Sequence, residues 1–216
     1  MKLFVYDHCP YCVRVRMPFA MKNIPFELIT LANDDEATPI AMIGAKVCPI
    51  LEKPDGSFIG ESLDIVNYLD QLDGKPIFAP SANRAALNEW VAQTSVLFRQ
   101  LLYPRWVNAP LAEFTTQSSR DYFTNKKQAA IGDFSQALAN SEQYIKALEA
   151  HLQQLAKLLT SEHSVNGQLS IDDIDLFGRL RGITLIKGLA IPAKVRAYID
   201  YFSGVSKVST YDDIAL

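Results

Sequence analysis

The sequence predicts an α/β domain ordered β-α-β-α-β-β-α over residues 1–74, a linker over 75–83 and an all-α domain over 84–216. Three observations carry this. Apolar runs at Leu3–Tyr6 and Phe26–Leu31 flank a helical stretch, which is the pattern of a β-α-β unit. Gly74-Lys75-Pro76-Ile77-Phe78-Ala79-Pro80 interrupts the pattern with one glycine and two prolines. Beyond residue 80 every long segment has helical periodicity and none alternates as a strand does.

The elements follow in order. Lys2–Tyr6 reads as a strand, Asp7-His8 as a turn and Pro10–Asn23 as a helix with Pro18 inside it, where a kink is expected. Phe26–Leu31 reads as a buried, mostly apolar strand, parallel to the first through a right-handed crossover. Asn33-Asp34-Asp35-Glu36 opens a short polar helix ending near Ile43-Gly44. A strand over Val47–Glu52 and its partner over Ser57–Ile59 are joined by the turn signal Pro54-Asp55-Gly56-Ser57. Gly60-Glu61-Ser62 leads into an amphipathic helix that stops at Asp73-Gly74, with Ser62 as its cap.

In the second domain the spacing predicts helices over Asn83–Leu102, Trp106–Ala112, Ser118–Ile131, Phe134–Leu159, Ile171–Lys187 and Pro192–Ser206, with a break at Tyr103-Pro104 and a loop at Val165-Asn166-Gly167. Ser170 and Asp173 have the spacing of a capping box, with Leu169 and Ile174 as its hydrophobic staple. The helix they start is mostly apolar, so it reads as a buried central helix.

Composition narrows the function. The chain has 216 residues, 49% of them hydrophobic, and a net charge of −3. Residues 1–73 carry −5 and residues 74–216 carry +2. That balance does not suggest nucleic acid or an acidic membrane surface as a partner. No apolar run is long enough to span a bilayer and no secretory leader opens the sequence. Cys9, Cys12 and Cys48 are the only cysteines, too few and too clustered for a secreted disulfide scaffold. A cytoplasmic protein is expected.

The chemistry concentrates at Cys9-Pro10-Tyr11-Cys12. A Cys-x-x-Cys between a strand and a helix is the pattern of a thiol–disulfide redox site. A cysteine at a helix start meets unpaired N–H groups and the positive end of the macrodipole, and both favour thiolate. Cys9 is therefore the candidate nucleophile and Cys12, a turn inside, the candidate resolving thiol. Pro10 suits the first helical position. Coincidental buried thiols or half of a zinc site are the competing readings, although no Cys or His cluster beyond Cys48 supplies further ligands. His8 either favours the thiolate when protonated or is an ordinary exposed turn residue. Arg14, Arg16 and Lys22 either attract an anionic substrate or form a solvated helix face. Cys48-Pro49 enters a strand, which for residues alone favours an ordinary trans proline. Glu61-Ser62 either binds the charged ends of a small zwitterion at a helix start or is a plain cap. Phe98, Tyr103, Arg105 and Trp106 either line a cleft opposite the cysteines or belong to the core.

Taken together these motifs resemble a known family. Cys-Pro-Tyr-Cys is the glutaredoxin tetrapeptide, and the order of the two domains looks like a glutathione transferase. The combination resembles the bacterial glutaredoxins with a transferase-like fold. The likeness includes Tyr6–Cys12, Lys22-Asn23-Ile24-Pro25, Asn33-Asp34-Asp35, Leu72-Asp73-Gly74-Lys75-Pro76 and Val165-Asn166-Gly167. It implies a thioredoxin-like first domain and a glutathione-dependent reductase of mixed and protein disulfides. It implies glutathione as cosubstrate, with no bound cofactor or metal. It implies that Pro49 is cis, that the Cys48 backbone pairs with the cysteinyl unit of glutathione and that Glu61 and Ser62 hold the γ-glutamyl end, with Pro10, Tyr11 and Pro49 completing the seat. Glutathionylated or disulfide-containing proteins would be the partners of a monomer. One departure stands out. The family commonly has an apolar β-branched residue or threonine before the cis-proline, and here Cys48 puts a third thiol beside Cys9. Cys48 then either competes with Cys12 for Cys9 or packs as a small hydrophobe. A conjugating transferase and a redox-sensing binding protein are the alternative functions; the cysteine where a transferase needs Ser or Tyr argues against the first.

Overall fold

A computed structural model describes residues 1–216. The first 71 residues form β1 (Lys2–Val5), α1 (Pro10–Met21), β2 (Glu27–Thr30), α2 (Ala37–Ile43), β3 (Ile50–Glu52), β4 (Phe58–Ile59) and α3 (Ser62–Gln71). They build a mixed sheet ordered β2-β1-β3-β4. β1 runs parallel to β2, with Leu3 opposite Leu28, and antiparallel to β3, with Leu3 opposite Leu51. Side-chain alternation along β1 serves both faces of the sheet. Leu3 and Val5 join the main core under α1 and α3, whereas Phe4 packs with Leu31 and Ile50 beneath Met42 and Ile43 of α2.

The remaining helices are α4 (Ala85–Trp106), α5 (Gln117–Ile131), α6 (Phe134–Ala139), α7 (Ser141–Leu158), α8 (Ile171–Ile183) and α9 (Ala193–Ser206). α8 is the buried central helix, with Ile174, Phe177, Leu180 and Ile183 all excluded from solvent. It packs against α1, as does α9, so one apolar core runs through both halves. The capping box is formed. Asp173 accepts the Ser170 N–H at 2.8 Å, and the same carboxylate takes the Val165 N–H at 2.6 Å. The segment between the halves is tied down. Ala79 exchanges backbone hydrogen bonds with Leu169 and Ile171 at the start of α8, and the Asp70 carboxylate accepts the N–H of Ile77 at 2.9 Å. No helix is long and apolar enough to cross a membrane.

Several elements differ from the sequence reading. β2 is an edge strand, and Leu28 is exposed rather than buried, because only one neighbour covers it. α2 begins at Ala37; the Asn33–Glu36 run is a turn whose Asp35 accepts the Thr38 N–H at 3.0 Å. Only the last three residues of Val47–Glu52 pair as strand. α3 has Glu61 at the cap position without a side-chain cap bond, and Ser62 is the first helical residue. α4 continues through Pro104 to Trp106, so the predicted break and the helix over 106–112 are both absent. Pro104 falls in the last turn, where buried Leu101, Leu102 and Trp106 hold the helix despite the missing N–H. The predicted helix over 134–159 is two helices, with Asn140 ending α6 and starting α7. The continuous apolar stripe hid that corner. α8 ends at Ile183, four residues early.

Candidate functional site

The chain enters the site from β1. Asp7 is fixed by Arg181 of α8 (2.9 Å), Arg16 of α1 (2.8 Å) and the Tyr211 hydroxyl (2.9 Å). Burial opposes its charge, but Arg181 and Arg16 hold the carboxyl at about 2. His8 follows, then Cys9 at the cap of α1 in extended conformation. The Cys9 carbonyl accepts the Cys12 N–H at 3.0 Å and the Val13 N–H at 3.1 Å. Cys9 is partly exposed and Cys12 is fully buried.

The two thiols are unlike. The Cys12 thiol, the positive charge of His8 and the N–H groups of Cys12 and Tyr11 lower the Cys9 value to about 6, against the effect of burial. At that value Cys9 is mostly thiolate at pH 7. Burial, then the hydrogen bond with Cys9 and the neighbouring Cys9 charge, push Cys12 well above the usual thiol range. Its sulfur accepts the Tyr6 N–H at 3.4 Å. Cys48 precedes Pro49 through a cis peptide bond and is raised to about 12, first by burial and then by the Cys9 charge.

His8 is not an exposed turn residue. Its side chain is 9% exposed, and its Nδ1 lies 2.6 Å from Oε1 of Glu113, which also accepts the His8 backbone N–H at 2.9 Å. Trp106, Phe114, Phe123 and Tyr6 surround the ring. Glu113 lies in a single 3-10 turn, Ala112–Phe114, of the helical half and is completely buried. Burial would raise its carboxyl, but the hydrogen bond and charge of His8 bring it below its ordinary value. Sequence reasoning missed Glu113. Its one signal was an acid in an otherwise apolar stretch, Leu111-Ala112-Glu113-Phe114, and nothing there pointed to His8, 105 residues away.

A cavity of about 550 Å³ opens over Cys9 between the two halves. Cys9, Pro10, Tyr11 and Cys48 line it from one side and Phe98, Tyr103 and Trp106 from the other. Arg105 does not line it. Its guanidinium is buried and donates to the carbonyls of Leu101 (2.8 Å) and Leu216 (3.2 Å). Pro49, Glu61 and Ser62 also lie outside the lining; Pro49 is buried and Glu61 is exposed. Ser62 accepts a hydrogen bond from Arg14 at 3.0 Å, and Arg14 pairs with Asp175 and lies 5.0 Å from the Tyr11 ring centroid. Arg14, Arg16 and Lys22 are therefore all engaged within the protein: Lys22 meets Asp73 at 2.8 Å and the Asp70 carbonyl at 2.6 Å.

Gly178 sets the distance between α8 and the redox turn. A Cβ there would stand 2.6 Å from the carbonyl oxygen of Pro10. Gly178→Ala is expected to force the two backbones apart, costing about 1–3 kcal/mol and reducing disulfide turnover. Chemical denaturation beside a turnover assay checks both effects.

Residues 86–215 match the family "Glutaredoxin 2, C terminal domain", and residues 3–77 match "Glutathione S-transferase, N-terminal domain". The chain is similar to glutaredoxin 2 of Escherichia coli K12, at 43% identity over 216 residues and the full length of both chains. It is also similar to glutaredoxin 2 of Salmonella typhimurium, whose crystal structure holds glutathione. That match has a TM-score of 0.96 at 45% identity and covers 100% of this chain and 98% of the other. A glutathione S-transferase of Ceriporiopsis subvermispora shares the fold, with a TM-score of 0.70 at 17% identity over 97% of each chain.

Proposed function

The chain belongs to the glutaredoxin 2 family, and from that premise we propose how its residues divide the work. It is a glutathione-dependent thiol–disulfide oxidoreductase. The observation that carries the assignment of roles is the partly exposed Cys9, lowered to about 6 and facing the cavity beside a buried, raised Cys12. A thiol near ambient pH combines high thiolate content with retained nucleophilicity. The Cys9 thiolate attacks the glutathionyl sulfur of a mixed disulfide. The Cys9–glutathione bond forms, the original S–S bond breaks, and the substrate leaves as a thiolate that takes a proton. A second glutathione thiolate then attacks the glutathionyl sulfur, releasing glutathione disulfide and the Cys9 thiolate. With a protein disulfide, Cys9 forms a mixed disulfide with the substrate. Cys12 then attacks the Cys9 sulfur, its proton passing to the departing substrate thiolate, and the Cys9–Cys12 disulfide that forms is left for two glutathiones to reduce.

Glutathione is the cosubstrate. Its seat comprises Pro10, Tyr11, the backbone of Cys48, Pro49 and the start of α3 at Glu61 and Ser62. The partly exposed Cys48 on the cavity wall and the exposed Glu61 support this placement. The protein works as a monomer in the cytoplasm on glutathionylated or disulfide-containing proteins. A direct test offers it a glutathione mixed disulfide and, separately, a chloroaromatic acceptor with glutathione. Disulfide turnover without conjugation is the expected result; conjugation without disulfide turnover would reverse the reading.

Two further outcomes follow from the site. Glu113 holds the His8 ring at 2.6 Å, and the charge of His8 lowers Cys9, so Glu113→Gln, which loosens that contact, is expected to raise the midpoint of Cys9 alkylation above about 6. The rate of iodoacetamide labelling against pH measures it, and an unchanged midpoint would remove Glu113 from the account. Cys48, raised to about 12, holds a negligible thiolate fraction at neutral pH. Mild oxidation is expected to give the Cys9–Cys12 disulfide with Cys48 still free, and mass mapping that finds a Cys9–Cys48 link would show competition between the thiols.

A further inference from the structure

The cavity over Cys9 carries a charge the rest of the molecule does not. The protein is net −3, yet the lining holds Lys46, Arg99, Lys126, Lys127 and Arg179 and no carboxylate. Only Arg179 is in an ion pair, with Asp175 at 3.1 Å. Arg99 is exposed and spends its Nε on the Ser95 carbonyl at 3.1 Å. The lysines lie against aromatic rings. Lys46 is 3.5 Å from the Tyr122 centroid, Lys126 is 5.7 Å from the same ring, and Lys127 is 5.0 Å from that of Tyr103. Lys46 also donates to the Asn33 carbonyl. Glu36, Asp34 and Asp35 attract Lys46 from outside the lining; of these, Glu36 also accepts the Tyr122 hydroxyl at 2.5 Å and Asp35 the Thr38 N–H.

Such a cluster is costly when empty. Burial and then repulsion from Lys126 lower both Lys46 and Lys127, against the attraction of Glu36, Asp34 and Asp35 on Lys46 and of Cys9 on Lys127. An anion in the cavity relieves that repulsion and gains from the reduced water around it. Arg99, Lys126 and Lys127 sit on the side of the cavity formed by α4 and α5, Lys46 reaches that side against the Tyr122 ring, and Arg179 stands on α8. In the proposed reaction glutathione occupies the side formed by the redox turn and α3. The space left for the cationic wall is that of the other half of the mixed disulfide, the thiol that leaves.

We propose that this wall selects the leaving thiol by charge, favouring glutathionylated cysteines in acidic peptide segments. Phe98, Tyr103 and Trp106 supply apolar contact to such a segment, and Lys46, Arg99, Lys126 and Lys127 meet its carboxylates. When Cys9 bonds to the glutathionyl sulfur and the peptide S–S bond breaks, the departing thiolate adds one more negative charge to the same field before it takes a proton. The inference rests on the oxidoreductase reading and adds substrate class to it.

The test uses two glutathionylated peptides that differ only in having glutamates or lysines on both sides of the cysteine. The mixed disulfide of glutathione and 2-mercaptoethanol, neutral on its leaving-thiol side, serves as the activity control. At low ionic strength the wild-type protein is expected to show kcat/KM at least about tenfold higher for the acidic peptide, and the gap is expected to close in about 0.5 M salt. The acidic-to-basic ratio is then measured within an Arg99→Glu/Lys126→Glu double variant, which is expected to bring it to about one or below, and within the milder Arg99→Gln/Lys126→Gln variant, which is expected to give an intermediate ratio. Equal use of the two peptides by wild type overturns the proposal. So does a ratio the variants leave unchanged, or turnover of the control disulfide with neither peptide accepted. Failure of wild type on the control disulfide itself would instead contradict the oxidoreductase reading.

Discussion

Cys9→Ser is expected to lower glutathione-coupled disulfide reduction by at least about 10³-fold, because no other thiol in the site is ionised at neutral pH. Cys12 and Cys48 are both raised, the first well above the usual thiol range and the second to about 12. Neither can replace a nucleophile held at about 6. Cys12→Ser is expected to behave differently. It retains deglutathionylation, since that half of the chemistry needs only Cys9 and a second glutathione, and it loses the dithiol route to protein disulfides. Parallel assays of both variants on a glutathionylated peptide and on a protein disulfide separate these outcomes. A Cys12→Ser protein dead toward glutathionylated substrate would overturn the monothiol step. Its Cys9 value should also rise, because the Cys12 thiol is the largest single cause lowering it.

The largest stability effect is expected at Asp173. Its carboxylate takes four hydrogen bonds in a site with no solvent access: from the N–H of Val165 (2.6 Å), the N–H and hydroxyl of Ser170 (2.8 and 2.7 Å) and the Tyr198 hydroxyl (3.0 Å). Asp173→Ala leaves the Val165 and Ser170 donors buried without that acceptor, and leaves the Tyr198 hydroxyl only the backbone carbonyl of residue 173 at 3.2 Å. The expected cost is about 3–5 kcal/mol, a large part of the stability of an ordinary domain. The loss reaches the site, because α8 carries Gly178 against the Pro10 carbonyl and Arg181 against Asp7. Urea denaturation followed by tryptophan fluorescence measures it, and a loss under about 1 kcal/mol would contradict this role.

What the sequence could show was local. The strand–turn–helix around Cys9 and the Ser170–Asp173 box are patterns of a few adjacent residues, and both appear in the structure. Features that depend on residues far apart in the chain were not legible. Glu113 reaches His8 from the other half, so His8 could not be distinguished from a solvated turn histidine. The cations of α1 were ambiguous for the same reason, since Asp7, Asp73 and Asp175 are near them only in the folded chain. Pro104 misled because local propensity was weighed without the buried face that holds α4 together. β2 misled because an apolar run does not say whether one neighbour or two will cover it. Ser62 reads as a cap from its residue type, but in the fold it accepts from Arg14 one position further in.

Cys9 alone is expected to receive glutathione. The direct measurement is to treat the Cys12→Ser protein with glutathione disulfide near pH 7 and map the adduct by mass spectrometry. A single glutathione, on Cys9, removed again by excess reduced glutathione, is the expected result. An adduct on Cys48 instead of Cys9, or no adduct at all, would contradict it.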